Sequence, residues 1–222
     1  NLSMNITKIN DEFYPLYKKV FARWVNDKIK CVTDNQLDDI TNDISNGFIL
    51  AQLAQALTRS DSIQLKKEMK EKQDIIQYYQ DMIEVFIKDG VKFNEISIKD
   101  INENYEKIIE KIIWELISHY SINKSLSLIS TNSNDENQSE TNQNKDNKEK
   151  KLLHWANGRI SNYPYVNNFQ PYELSICALL DSYVPDKINY HTLNPKDSEH
   201  NMKLALDVMK CLGIPIYIYP ED

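Results

Sequence analysis

The chain has 222 residues, 41% of them hydrophobic, with 33 acidic against 26 basic side chains and a net charge of −7. That length allows one or two domains of ~100–200 residues. The charge balance argues against a general nucleic-acid binder, which needs a basic field to neutralise phosphates; a local basic patch facing an acidic protein surface stays open. Cys31, Cys177 and Cys211 are too few and too widely spaced for a disulfide framework or a metal site, and are expected as reduced thiols of a cytoplasmic protein. No apolar run reaches the ~18 residues of a membrane span, and the N-terminus lacks a signal-peptide apolar core. His119, His154, His191 and His200 form no pair at metal spacing, and four isolated glycines build no phosphate-cradling loop. No enzyme, cofactor or catalytic site is therefore expected.

In chain order, residues 10–30 predict a first helix. Tyr17, Phe21, Trp24, Val25 and Ile29 make its apolar face, and Lys18, Lys19, Ala22, Arg23 and Asn26 lie mostly off that face. Residues 38–58 carry a second periodic run, Ile44, Phe48, Ile49, Leu50, Leu53 and Leu57, with Ser45, Asn46 and Gly47 supplying capping and turn chemistry. Residues 66–72 are charged and expected in solvent. Residues 74–89 predict another helix with Ile75, Ile76, Tyr79, Met82, Ile83, Phe86 and Ile87 on its apolar side, stopped by Gly90. A loop with a short helical turn at 97–100 leads into residues 105–122, the most apolar helix of the chain. Its stripe of Tyr105, Ile108, Ile109, Ile112, Ile113, Leu116, Ile117 and Tyr120, widened by Trp114, exceeds the ~100° of an ordinary surface helix. Such a helix is wrapped by neighbours, or has one core face and a second face for a partner.

Residues 125–150 are dominated by Asn, Ser, Glu, Gln, Asp, Thr and Lys, and read as a flexible linker between domains at 1–124 and 151–222. Beyond it, 151–161 is a helix around Leu152, Trp155 and Ile160. Residues 171–183 hold Leu174, Ile176, Cys177, Leu179 and Leu180, and 199–211 hold Met202, Leu204, Ala205, Leu206, Val208 and Met209. No long strand pattern appears, so the fold class is all-α.

The first half resembles a calponin-homology domain at Phe21, Trp24 and Asn26, at Asp43, Gly47, Leu50 and Leu53, at Phe86, Gly90 and Val91, and from Ile98, Asp100 and Asn104 into Ile112 to Ile117. The second half resembles the partner repeat of the tandem family found in α-actinins, filamins and spectrins. It does so at Leu152 and Trp155, at Asn168 and Phe169, at Ala178, Pro185, Ile188 and Tyr190, at Asn201, Ala205 and Val208, and at Gly213 to Pro215. It departs from the pattern where Gln170 to Glu173 replace a Trp-x-Asp-Gly element, in its longer linker, at Ile216 in place of a Lys, and at Asp222, where the pattern continues into a final helix.

This resemblance implies binding to filamentous actin, mainly through the first domain with the second modulating it, in a cytoskeletal crosslinking protein. The contacts it implies are Lys18, Lys19, Ala22, Arg23 and Asn26; then Ile108, Lys111, Ile112 and Glu115; then Lys151 and Arg159. For Ile108 and Ile112, burial in the core competes with this role. Lys18, Lys19 and Arg23 are the tight basic cluster, with ordinary solvated charge as the alternative. Trp24, Trp114 and Trp155 read as core anchors; Trp114 is also expected to meet Ile216 across the domains, closing the pair and masking part of the actin surface. Thin charge near Arg159 argues against binding acidic phosphoinositides. Dimerisation is expected only through regions absent from this chain or by domain exchange. The competing reading is an adaptor of the same fold that binds microtubules, signalling or adhesion partners.

Overall fold

Apolar residues at helical spacing have become helices in this computed structural model, which describes residues 14–40, 44, 47–60, 63–65, 69, 71–93, 96, 105–130 and 144–222. The chain divides into two compact units, Asn1–Lys124 and Ser125–Asp222. Among the described residues there is no strand, only an isolated bridge between Asn167 and Gln170. The short turn expected at 97–100, the capping residues Ser45 and Asn46, and most of the charged 66–72 stretch lie outside the described residues.

In the first unit, α1 (Tyr14–Ile29) buries Phe21, Ala22, Trp24, Val25 and Ile29. Ala22 corrects the expectation: it is only 4% exposed. It stands one heptad before Ile29, and a helix drifts only ~20° per heptad, so both point into the same core. Trp24 is a core anchor as expected, and its indole Nε1 donates to Ser121 Oγ at 3.0 Å. The second helix, α2 (Phe48–Thr58), is buried on every side from Phe48 to Ala54, as suits a helix apolar all round. Gly47 precedes it with a φ of 75°, and a Cβ there would come within 3.0 Å of Tyr78 Cδ1. Both the backbone angle and the close ring call for glycine.

Helix α3 (Lys72–Lys88) buries Tyr79, Met82, Ile83 and Phe86 as expected. Two residues differ. Ile87 is 53% exposed, and Tyr78 is buried with its hydroxyl donating to Gln64 O at 2.8 Å. The buried arc is centred between Met82 and Phe86. Ile87 therefore falls beyond one edge, while Tyr78 falls within the other. Gly90 stops the helix as predicted. At φ 95° its N–H reaches Ile87 O, and the next N–H, of the buried Val91, reaches Phe86 O, each at 3.0 Å.

Helix α4 (Tyr105–Ile117) buries Ile108, Ile109, Ile112, Ile113 and Leu116. It does not end near 122. The backbone widens into a π turn, Ser118–Asn123, and continues as α5 (Lys124–Ser130). The wider turn carries Ser121 to Trp24 and sends the Tyr120 hydroxyl to Asp89 Oδ2 at 2.6 Å.

The second unit holds α6 (Asn144–Ile160), α7 (Tyr172–Asp181), a single 3-10 turn (Tyr190–Thr192) and α8 (Ser198–Cys211). The polar 125–150 stretch, expected to be flexible throughout, is helical at both described ends, in α5 and in the start of α6. No Gly or Pro occurs between Gly90 and Gly158, so neither helical end contains a strong helix breaker in this stretch. The core gathers Ile160, Leu174, Cys177, Ala178, Ile188, Tyr190, Ala205 and Val208. Trp155, expected as a core anchor, is only half-buried; Ala156 and Ile160 are the buried residues of α6. Asp197 caps α8 by accepting from the His200 N–H at 3.1 Å.

Candidate functional site

The first unit packs α1 against α4, two of the stretches singled out by sequence. Lys18 Nζ on α1 lies 3.3 Å from Glu106 Oε1, in the first turn of α4. Lys19 is exposed, and Arg23 is half-buried on the same helix. On α4, Lys111 and Glu115 are half-buried and Lys107 is exposed. Cations of α1 and α4 therefore belong to one folded unit, joined by an acid that the sequence did not single out. Glu106 stands one heptad before Ile113, at the margin of α4's apolar stripe; nothing in the periodicity says that Lys18, 88 positions away, is its partner.

Other predicted residues are placed differently. Ile108 and Ile112, at 7% and 0% exposure, lie in the core and support α4 from beneath, as does Ala22 for α1. Asn26 is half-buried and engaged at both ends of its amide. Nδ2 donates to Leu37 O at 3.0 Å, and Oδ1 accepts from Leu37 N at 2.8 Å, which fastens the loop after α1. Further along α1, Asp27 holds Lys28 at 3.0 Å and Lys30 at 2.6 Å. The hydrogen bond to Asp27, helped by its charge, raises the Lys30 pKa. A single carboxylate thus serves both cations at the end of α1, and the Lys18–Lys19–Arg23 cluster lies earlier on the helix. Trp114 is half-buried with Phe21 of its own unit beside it, ring centroids 6.4 Å apart.

In the second unit Lys151 is exposed, whereas Arg159 is committed to its own domain. Its Nη2 donates to Ser182 O at 2.8 Å, its Nε donates to Ser182 Oγ at 3.2 Å, and its guanidinium lies 4.4 Å from the Tyr183 ring centroid. This clamps α6 to the end of α7. Nearby, Asp181 accepts from the Tyr163 hydroxyl at 2.7 Å and from Tyr190 N at 3.1 Å. Burial first, then the Asp181 hydrogen bond, pushes the Tyr163 pKa up to about 12. Ile216 is half-buried in the C-terminal stretch. Among the described residues, no group of three or more His, Cys, Asp or Glu could hold a metal ion, and no helix is long and apolar enough to cross a membrane.

The profile of the Calponin homology (CH) domain matches residues 16–122 and 146–222. Interaptin of Dictyostelium discoideum is 28% identical over 98% of this chain and 12% of its own length. Alpha-actinin-like protein 1 of Schizosaccharomyces pombe is 23% identical over 96% of this chain and 33% of its length. Alpha-actinin A of Dictyostelium discoideum is 26% identical over 92% of this chain and 22% of its length. The chain thus spans a third or less of each of these relatives. Each matched stretch coincides with one of the two helical units, and the chain belongs to the calponin homology domain family, with two such domains in tandem.

Proposed function

We propose that this chain is a filamentous-actin-binding module of a cytoplasmic, cytoskeletal crosslinking protein, and that the first domain makes the main contact. The observation that carries this reading is the joining of α1 and α4 in one unit, which sets Lys18, Lys19 and Arg23 on the same domain as Lys111. Actin's surface is acidic, and clustered cations steer such a partner before closer contacts exclude water. The similarity to α-actinin-type proteins across both domains supports the same reading. The second domain modulates binding: its Arg159 is occupied within its own fold, and the exposed Lys151 is its contribution. Ala22, Ile108 and Ile112 hold the two helices in place from the core.

Co-sedimentation tests the proposal. The whole chain is expected to pellet with actin filaments and not with microtubules, and Lys18→Glu with Lys19→Glu is expected to abolish pelleting while the helical signal is unchanged. Pelleting with microtubules alone, or actin pelleting indifferent to the double charge reversal, overturns it.

A further inference from the structure

We propose that Glu106 is a built-in competitor for Lys18, an intramolecular acid that the acidic face of the filament must displace. The inference rests on the actin-binding reading above and assigns the affinity-setting role to a residue outside the contact set. Lys18 Nζ and Glu106 Oε1 are 3.3 Å apart, with their side chains 23% and 56% exposed. A pair this open contributes little to folding, because water screens it and ordering two long side chains offsets the attraction. It is therefore poorly suited to serve as a structural staple between α1 and α4, which already pack together with the Phe21 and Trp114 rings 6.4 Å apart.

Its position favours a competitive role. Glu106 lies in the first turn of α4, where the helix N-terminus favours a negative charge. The carboxylate is thus stabilised next to the cation with or without a partner. An acidic surface approaching Lys18 meets that carboxylate in the same place. Like-charge repulsion slows encounter, and Lys18 must exchange one acid for another. Glu106 consequently lowers affinity and shields the cation from weaker acidic surfaces, making the site more selective for a partner that engages Lys19 and Arg23 as well.

The test uses the whole chain in actin co-sedimentation at low and high salt, comparing wild type, Glu106→Gln, Lys18→Gln, the double variant Lys18→Gln/Glu106→Gln, and Glu84→Gln. Glu84 is an exposed acid on α3, and its replacement makes the same change in net charge elsewhere. Glu106→Gln is expected to bind about two- to fivefold tighter, the scale of an exposed ion pair. The gain is expected to shrink as salt shortens the screening length, to be absent in Glu84→Gln, and to vanish when Lys18 is already Gln. An unchanged affinity for Glu106→Gln overturns the proposal, as does an equal gain from Glu84→Gln or a gain that survives without Lys18. If wild type pellets and only these differences fail, the competitor role alone is lost. If no variant pellets with actin, the actin-binding reading falls and this inference falls with it.

Discussion

In the first unit a single helix, α4, places Ile109, Ile112, Ile113 and Leu116 almost wholly out of water, and Trp24, Tyr79, Phe86, Leu50 and Leu53 join them. All the largest fully buried side chains of the described residues belong to that unit. The second unit fills its centre with smaller groups, among them Cys177, Ala178 and Ala205, and leaves Leu153, Leu212, Ile214 and Ile218 substantially exposed. Directed polar ties accompany that smaller core: Tyr163 and Tyr190 to Asp181, Arg159 to Ser182, and the Cys177 thiol to Asn201 O at 3.2 Å. Burial is non-directional and scales with area, whereas each hydrogen bond adds a net of only about 0.5–1.5 kcal/mol. The two units thus differ in how much large apolar volume they bury, while each adds a tyrosine–aspartate tie, Tyr120 to Asp89 in the first and Tyr163 to Asp181 in the second.

The largest expected effect separates the two directly. Ile112→Ala removes a fully buried side chain from the middle of α4. It should cost the first unit about 2–5 kcal/mol and take actin pelleting with it. Denaturant unfolding followed by tryptophan fluorescence in a Trp155→Phe background, where Trp24 and Trp114 remain, reports that unit, and a transition unmoved by the change would mean that α4 is not its keystone.

Next comes the polar counterpart. Asp181→Ala strips two acceptors from Tyr163 and Tyr190 and should cost the second unit about 1–3 kcal/mol, with the first unit's transition unchanged. The tyrosines give the same comparison a pH axis. Burial leads the rise of both the Tyr163 and the Tyr190 pKa from 10.0 to about 12. A folded pKa above the unfolded one means that the folded state holds the proton more tightly. This stabilisation is whole below pH 10 and is lost as pH climbs toward 12. Asp181→Asn should bring the Tyr163 midpoint down, read by tyrosinate absorbance; an unmoved titration would deny the carboxylate its part.

The smallest effects sharpen the contrast through a pair of glycines. Gly47→Ala forces a side chain into the φ 75° backbone with Tyr78 at 3.0 Å, and should destabilise the first unit by about 1–2 kcal/mol. Gly158 sits inside α6 with nothing within 4 Å of an added Cβ, so Gly158→Ala should stabilise the second unit by about 0.5–1 kcal/mol. Thermal melts of the two variants are expected to shift in opposite directions, and a shift in the same direction would contradict the local geometry at one of the two sites.

Much of this protein was legible in its residues. Apolar spacing located the helices, Gly90 marked a helix end, and the ordered elements of both halves carried the family resemblance, because periodicity and backbone freedom are local properties of the chain. Its breadth also marked the 105–122 stripe as a central helix, and Ile108 and Ile112 were weighed as core there. The candidate site was legible only as a list of charges. That Ala22 shares Ile29's direction could have been taken from the helical wheel. That Asn26 is spent on Leu37, Arg159 on Ser182 and Tyr183, and Lys18 on Glu106 could not, since each pairing joins residues brought together only by chain folding. Sequence by itself determined where the apolar-periodic helices lie and most of the greasy face of each, but not the helical ends of the polar 125–150 stretch. Tertiary structure decided which surface cations face an acid of their own chain, because Coulomb attraction depends on distance through space and the chain's order does not record it.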